Sequence, residues 1–281
     1  MFEHTNAIEK DGLKIAYGLS GNNDLSVKHT LVFIHGNTAS KDAFVHQIEA
    51  LSEQYQVLAI DLPGHGQSGN ATDPLRQYTI SEYAKSCAYV LEQLAISSPV
   101  IVGWSLGGHI CIEMLAQGFK ASGLMITGTP PIAPGLSDIP SAFLQNEVMA
   151  LTGKAEFTDE DAQLYLSALY GECISPSLVA AAQRTDPQAR NAMTANWAQG
   201  DDGADQKAFV ATWNKPIAIV HGHDEQFVNL SYLEALPIRT LFEGRIYIVN
   251  DAGHAVFLQQ PSVFNQYLSN FAAHCFGSSN D

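Results

Sequence analysis

Short unbroken apolar runs recur along this chain. Each ends in a polar or glycine-bearing turn. They are TLVFI (30–34), QVLAI (56–60), VIVG (100–103), GLMIT (123–127), PIAIV (216–220) and RIYIV (245–249). A run with no polar alternation fits a strand buried on both faces, as in a parallel sheet. Between the runs, residues 43–51, 79–94, 106–117 and 262–274 predict helices, with Thr79 or Ser81 placed to cap the second. Near the start, 7–9 and 13–17 predict two short strands around Lys10-Asp11-Gly12, and 21–28 predicts a polar loop. Strands alternating with helices predict an α/β fold, a mostly parallel, doubly wound sheet with helices on both faces. Ligands bind such sheets beyond the carboxyl ends of the strands. The turns 35–38, 61–68, 103–107, 128–131, 221–225 and 250–254 all fall there.

The alternation stops between residues 132 and 213. That stretch has helical patterns, as in Asp159–Tyr170 and 177–184, separated by Gly, Pro and Asp. It predicts a helical cap, 132–213, inserted into a core made of 1–131 and 214–281, placed to close the site to water. Gly200-Asp201-Asp202-Gly203 predicts a mobile loop, and 277–281 a frayed tail. There is no internal repeat.

Composition narrows the partners. At 281 residues and 46% hydrophobic, the chain can bury one large core. Its 14 Lys and Arg stand against 29 Asp and Glu, a formal charge of −15. Such a surface repels nucleic acid and anionic membrane, so neither is an expected partner, and the acidity is read as solubility. Cys87, Cys111, Cys173 and Cys275 are widely spaced without metal-ligand or disulfide patterning. The first twelve residues have no apolar signal core, and no apolar run is long enough to span a bilayer. A cytoplasmic protein is expected, and the initiating Met argues against a removed signal. Nothing in the sequence indicates an oligomeric state.

The chemistry centres on Gly103-Trp104-Ser105-Leu106-Gly107. A G-x-S-x-G that follows a buried strand and opens a helix is a nucleophile elbow. The tight turn lifts the Ser105 hydroxyl out of the sheet beside the free N–H groups of a helix start. A serine needs a base, and the base needs an acid to orient it. His254, in a Gly-His turn after the last strand, is the best-placed base among ten histidines. His35 and His65 read as turn scaffolding. The turn after 216–220 offers Asp224 and Glu225, one directed at the histidine and the other away. Either satisfies the order nucleophile, acid, histidine. The developing oxyanion needs backbone donors. Leu106 N–H is one, and Asn37 N–H, after the 30–34 strand, is the other. His221-Gly222-His223-Asp224 does not have metal-ligand patterning, so no metal or other cofactor is expected. Gly64-His65-Gly66-Gln67-Ser68-Gly69 lacks the Lys and helix of a phosphate loop.

Together, His35-Gly36-Asn37, Asp61-Leu62-Pro63-Gly64-His65-Gly66-Gln67-Ser68, the elbow and Asn250-Asp251-Ala252-Gly253-His254 resemble an α/β-hydrolase over nearly the full length. More narrowly, residues 103–131, GWSLGGHICIEMLAQGFKASGLMITGTPP, resemble the metal-independent α/β-hydrolase type of N-acyl-homoserine-lactone lactonase. The resemblance implies a quorum-quenching enzyme that opens the lactone ring through an acyl-enzyme. It implies Glu225 as the acid, with Asp224 in reserve. It also implies a substrate contact from the cap tyrosine Tyr165, with Tyr170 as competitor, and Trp104 is taken as a second substrate contact. Phe143, Leu144, Met149 and Leu151 are candidates for the acyl-chain tunnel or for core packing. The expected partner is a small acyl lactone or ester. The alternatives are a general carboxylesterase on small esters, an acylase cutting the amide of the same signals, and a hydrolase-like ligand receptor.

Overall fold

The computed structural model describes residues 5–21, 29–200 and 202–277. Most of the polar loop expected at 21–28, Asp201 of the expected mobile loop, and 278–281 of the expected frayed tail lie outside the described residues. Among the described residues eight strands form one sheet: β1 (Thr5–Lys10), β2 (Leu13–Ser20), β3 (Thr30–Ile34), β4 (Gln56–Ile60), β5 (Val100–Trp104), β6 (Gly123–Thr127), β7 (Ile217–Gly222) and β8 (Tyr247–Val249). Their spatial order is β1-β2-β4-β3-β5-β6-β7-β8. β2 runs antiparallel to β1 and β4, and the remaining pairs are parallel. Every residue of β3 to β7 is buried. This is why those strands read as unbroken apolar runs.

The pairing register decides where the site falls. Ile34 lies opposite both Ile60 and Gly103, Trp104 opposite Thr127, Thr127 opposite Val220, and Gly222 opposite Val249. The strands therefore end level with one another, and the turns that follow them share one edge of the sheet.

Helices Val45–Leu51, Ile80–Gln93, Leu106–Ala116 and Pro261–Gly277 flank the sheet. Thr79, not Ser81, caps the second, its hydroxyl accepting the Glu82 N–H at 3.0 Å. Cys87 and Cys111 are buried on these helices, and among the described residues no disulfide joins two cysteines. Among the described residues no helix is long and apolar enough to cross a membrane.

Between β6 and β7 the chain is helical. The larger helices are Asp159–Tyr170, Pro176–Arg184, Pro187–Gln199 and Gln206–Thr212. Their starts are set by side-chain caps: Thr158 in a capping box with Asp161, then Ser175, Asp186 and Asp205. Proline occupies the first turn of the second and third, where no N–H is needed. Bonds tie this segment to the sheet's loops: Asp186 N–H to Gly64 O at 2.8 Å, and Tyr78 Oη to the Asp186 carboxylate at 2.6 Å. Asp202, in the expected mobile loop, and Ala204 just after it are also anchored. The Asp202 carboxylate accepts the Ile80 and Ser81 N–H groups at the start of helix Ile80–Gln93, and Glu113 accepts the Ala204 N–H.

One buried ion pair braces the loops beside the site. Lys41 and Asp61 are 1% and 0% exposed, with Lys41 Nζ 3.0 Å from Asp61 Oδ2. The same carboxylate accepts the backbone N–H groups of Lys41 and Gln67. It thereby joins the turn after β3 to the turn after β4. Removing one partner of a buried pair leaves the other charge uncompensated. Lys41→Ala should lower the unfolding free energy by about 3–5 kcal/mol in a urea titration. A loss under about 1 kcal/mol, the range of surface ion pairs, would contradict this placement.

Candidate active site

β5 ends at Trp104 and helix Leu106–Ala116 begins two residues later, so the reversal falls on Ser105 alone. Its backbone takes φ 53° and ψ −122°, which is costly for a residue with a Cβ. Two close approaches make the turn possible. A Cβ on Gly103 would strike Gly108, and one on Gly107 would strike the Ile34 carbonyl. The strained residue is pinned on both sides. Ser105 N–H donates to Thr127 O at 2.9 Å, and Thr129 Oγ1 donates to Ser105 O at 2.8 Å.

His254 sits on the turn after β8 and is 3% exposed. Its Nδ1 lies 2.8 and 3.0 Å from the two carboxylate oxygens of Glu225, on the turn after β7. An ionised carboxylate only accepts, so Nδ1 carries the proton and Nε2 of the neutral ring is the free lone pair. Glu225 Oε1 also accepts the Phe227 N–H at 2.8 Å. Burial alone would raise the Glu225 pKa, but the pairing with His254 and the hydrogen bond from Phe227 outweigh it and hold the carboxyl below its ordinary value. The pair's contribution to stability is complete above the ordinary glutamate range and is lost as pH falls through the lowered value. Asp224, the other acid the sequence offered, is 62% exposed and pairs with the surface His223 at 2.8 Å. The two neighbouring acids thus point apart.

Trp104 does not stand where a substrate contact was expected. It is fully buried and outside the cavity lining. Its indole Nε1 instead donates to the His254 carbonyl at 3.0 Å. A strand residue directly before the elbow faces into the packed layer under the site, so Trp104 supports the histidine turn from below.

The turn after β3 brings Asn37 to the same place. Its N–H makes no hydrogen bond among the described residues, and its side chain donates to Thr152 O at 2.9 Å. Leu106 N–H opens its helix and has no intrahelical acceptor. His35 holds this turn. Burial lowers its pKa, and the neutral ring accepts Leu62 N–H at Nε2 and bonds Gly36 O through Nδ1. His65 likewise bonds the Pro63 carbonyl within its own turn.

Ser105, His254, Asn37 and Leu106 all line one cavity of about 480 Å³. Its walls include Phe143, Met149, Met193, Trp197 and Phe227, so it is mostly apolar. Of the four tunnel candidates, Phe143 and Met149 line it, Leu144 is on the surface and Leu151 packs in the core. Tyr165 lines the cavity, with burial pushing its hydroxyl up to about 12. Tyr170 packs on Trp104, ring centroids 5.6 Å apart, away from the cavity. The sequence reading passed over Phe227, whose ring lies 4.6 Å from that of His254, and His109, buried in the cavity wall. Helical spacing could have flagged His109, four residues after Ser105 on the same face. Among the described residues no three His, Cys, Asp or Glu side chains are grouped to hold a metal ion.

This elbow, with its histidine, acid and level strand ends, is an α/β-hydrolase arrangement. A family model of the alpha/beta hydrolase fold matches residues 29–261, and the chain belongs to that family. Among solved structures, a mutant of the N-acyl homoserine lactonase AidH complexed with N-hexanoyl homoserine lactone is 37% identical. The match covers 97% of this chain and 98% of that one, with a TM-score of 0.91. The pimeloyl-[acyl-carrier protein] methyl ester esterase of Xanthomonas campestris pv. campestris (strain B100) is 28% identical over 86% of this chain and 94% of that protein. The dihydrolipoyllysine-residue acetyltransferase component of the acetoin cleaving system of Cupriavidus necator is 24% identical over 92% of this chain. This chain spans only 66% of that protein's length.

The site leaves no room at Gly128. Its φ is +60°, and a Cβ there would stand 2.7 Å from His254 Cε1. Gly128→Ala should displace the imidazole and lower kcat on a nitrophenyl ester about 10²-fold, while the far-ultraviolet circular dichroism stays native. Native kcat in this variant would show that the ring position is not tightly held.

Proposed function

We propose that this chain is a serine hydrolase that opens the lactone ring of N-acyl-homoserine lactones. One observation carries the reading. The elbow serine and the Glu225-bound His254 face a single apolar cavity, in a chain similar end to end to an N-acyl homoserine lactonase. The segment 132–213 acts as its cap, supplying Tyr165, Met193 and Trp197 to the cavity wall.

The chemistry follows from the geometry. Ser105 Oγ attacks the lactone carbonyl while its proton passes to His254 Nε2. Glu225 holds the ring by Nδ1 and stabilises its charged form. The Asn37 and Leu106 N–H groups receive the oxyanion. The ring C–O bond then breaks, and the departing oxygen takes the proton from His254. That alcohol stays tethered to the acyl group. Water, deprotonated by His254, attacks the ester on Ser105 and frees an N-acyl-homoserine carboxylate and the serine. Tyr165, kept protonated by burial, donates a hydrogen bond to the substrate in this reading.

A second reading is a carboxylesterase on simple acyl esters, favoured by the full-length match to a methyl ester esterase. Acid release from N-hexanoyl homoserine lactone, set against hydrolysis of short nitrophenyl and methyl esters, separates the two. The lactonase reading expects the lactone to have the higher kcat/KM, and the reverse order contradicts it. Ser105→Ala should abolish turnover, and chelators should leave it intact. Full activity in that variant, or loss on chelation, sinks the mechanism. Glu225→Gln should cost about 10⁴ in kcat by permitting the wrong imidazole tautomer. Asp224→Asn should stay near native. An equal loss in both variants would contradict the assignment of Glu225.

A further inference from the structure

One buried polar group in the cavity wall has no part in the hydrolysis. His109 lies four residues after Ser105 on the elbow helix, about 6 Å along its axis, and is 3% exposed. It sits among apolar neighbours. The Trp197 ring meets it edge-on at 4.5 Å, and Phe143 lies 6.5 Å away, centroid to centroid.

Its protonation state is fixed by Gln206. Gln206 Nε2 donates to the His109 carbonyl at 3.4 Å, which turns its amide oxygen towards the ring. That oxygen is 2.8 Å from Nδ1, so Nδ1 carries the hydrogen. Burial pushes the His109 pKa down to about 4, against the opposing bond from Gln206, and the ring is neutral at pH 7. Nε2 is then a lone-pair acceptor. It has no hydrogen-bond partner among the described residues, and it is not among their fully enclosed, unpaired polar atoms. It therefore opens onto the cavity that His109 lines.

An unpaired acceptor in an apolar wall favours a ligand that brings a donor and disfavours one that brings a second acceptor. We infer that His109 Nε2 is a specificity site for a hydroxyl on the acyl chain, about five bonds beyond the carbonyl that Ser105 attacks. This inference rests on the lactonase reading in one respect: in an N-acyl-homoserine lactone, five bonds from the lactone carbonyl is carbon 3 of the acyl chain. A 3-hydroxyl donates to Nε2. A 3-oxo group presents its own lone pairs to that nitrogen. The unsubstituted chain leaves it unpaired.

The test compares kcat/KM for the 3-hydroxyhexanoyl, 3-oxohexanoyl and hexanoyl lactones. The native protein should favour hydroxy over unsubstituted by about tenfold, with oxo the poorest. In His109→Phe, which keeps a planar ring without an acceptor, the hydroxy-to-unsubstituted ratio should fall to about one. Gln206→Glu gives a second arm. A carboxylate there favours the imidazolium, Nε2 becomes a donor, and the order of hydroxy and oxo should invert. A native hydroxy-to-unsubstituted ratio near one, or a preference unmoved by both variants, overturns the proposal. The ester pair nitrophenyl 6-hydroxyhexanoate and nitrophenyl hexanoate places a hydroxyl at the same five bonds without a lactone. If lactones are not opened but these esters are cleaved, the lactonase reading fails, and the ester ratio decides the role of His109 alone. A protein that turns over neither class overturns both.

Discussion

The constraint on which the rest depends is the backbone of Ser105. Holding a residue with a Cβ at φ 53° and ψ −122° costs about 1–3 kcal/mol, and nothing local to the serine offsets that. The surroundings do. Glycines at 103 and 107 allow the strand and helix to close over the turn, while Thr127 at the end of β6 holds the serine's N–H and Thr129 just beyond it holds the carbonyl. The strain suits the proposed chemistry, because the same turn puts Ser105 on the cavity wall at the free N–H end of a helix.

Everything else in the site is a matter of level strand ends. β3, β5, β6, β7 and β8 stop within a residue or two of a common line, so each contributes one short turn to the same edge. Those turns carry Asn37, Ser105, Gly128, Glu225 and His254. Buried polar contacts keep them in register. The Lys41–Asp61 pair and neutral His35 brace the turn that carries Asn37, while Trp104 bonds the carbonyl of His254 from beneath. A hydrogen bond inside an apolar layer is directional and costly to leave unmade, which suits it to positioning.

The sheet was legible because buried parallel strands are unbroken apolar runs: three of the predicted strands match residue for residue, at 30–34, 56–60 and 123–127. The turns were legible because glycine and polar residues must stand where the chain reverses. Legibility fell in the segment 132–213. Helix Pro187–Gln199 has no strong apolar stripe, since the face it buries carries Arg190 beside Ala189, Ala192 and Met193. Its start is marked only by the Asp186-Pro187 cap, and that of Gln206–Thr212 only by Asp205. Two site readings also depended on direction, which sequence does not carry. Asp224 and Glu225 are adjacent, yet one meets solvent and the other His254. Trp104 is adjacent to Ser105, yet it points into the core. His109 was missed because a lone histidine on an apolar helix face looks like core until its free nitrogen is seen to open on the cavity.

The most direct test of the central claim is the mass of the covalent intermediate. A lactone's leaving oxygen stays attached to its acyl group. Native protein mixed with N-hexanoyl homoserine lactone and acid-quenched within the first turnovers should therefore carry, on the peptide containing Ser105, an adduct equal to the whole mass of the substrate. An adduct of the hexanoyl group alone would mean amide cleavage, and an adduct on another residue would contradict Ser105 as the nucleophile.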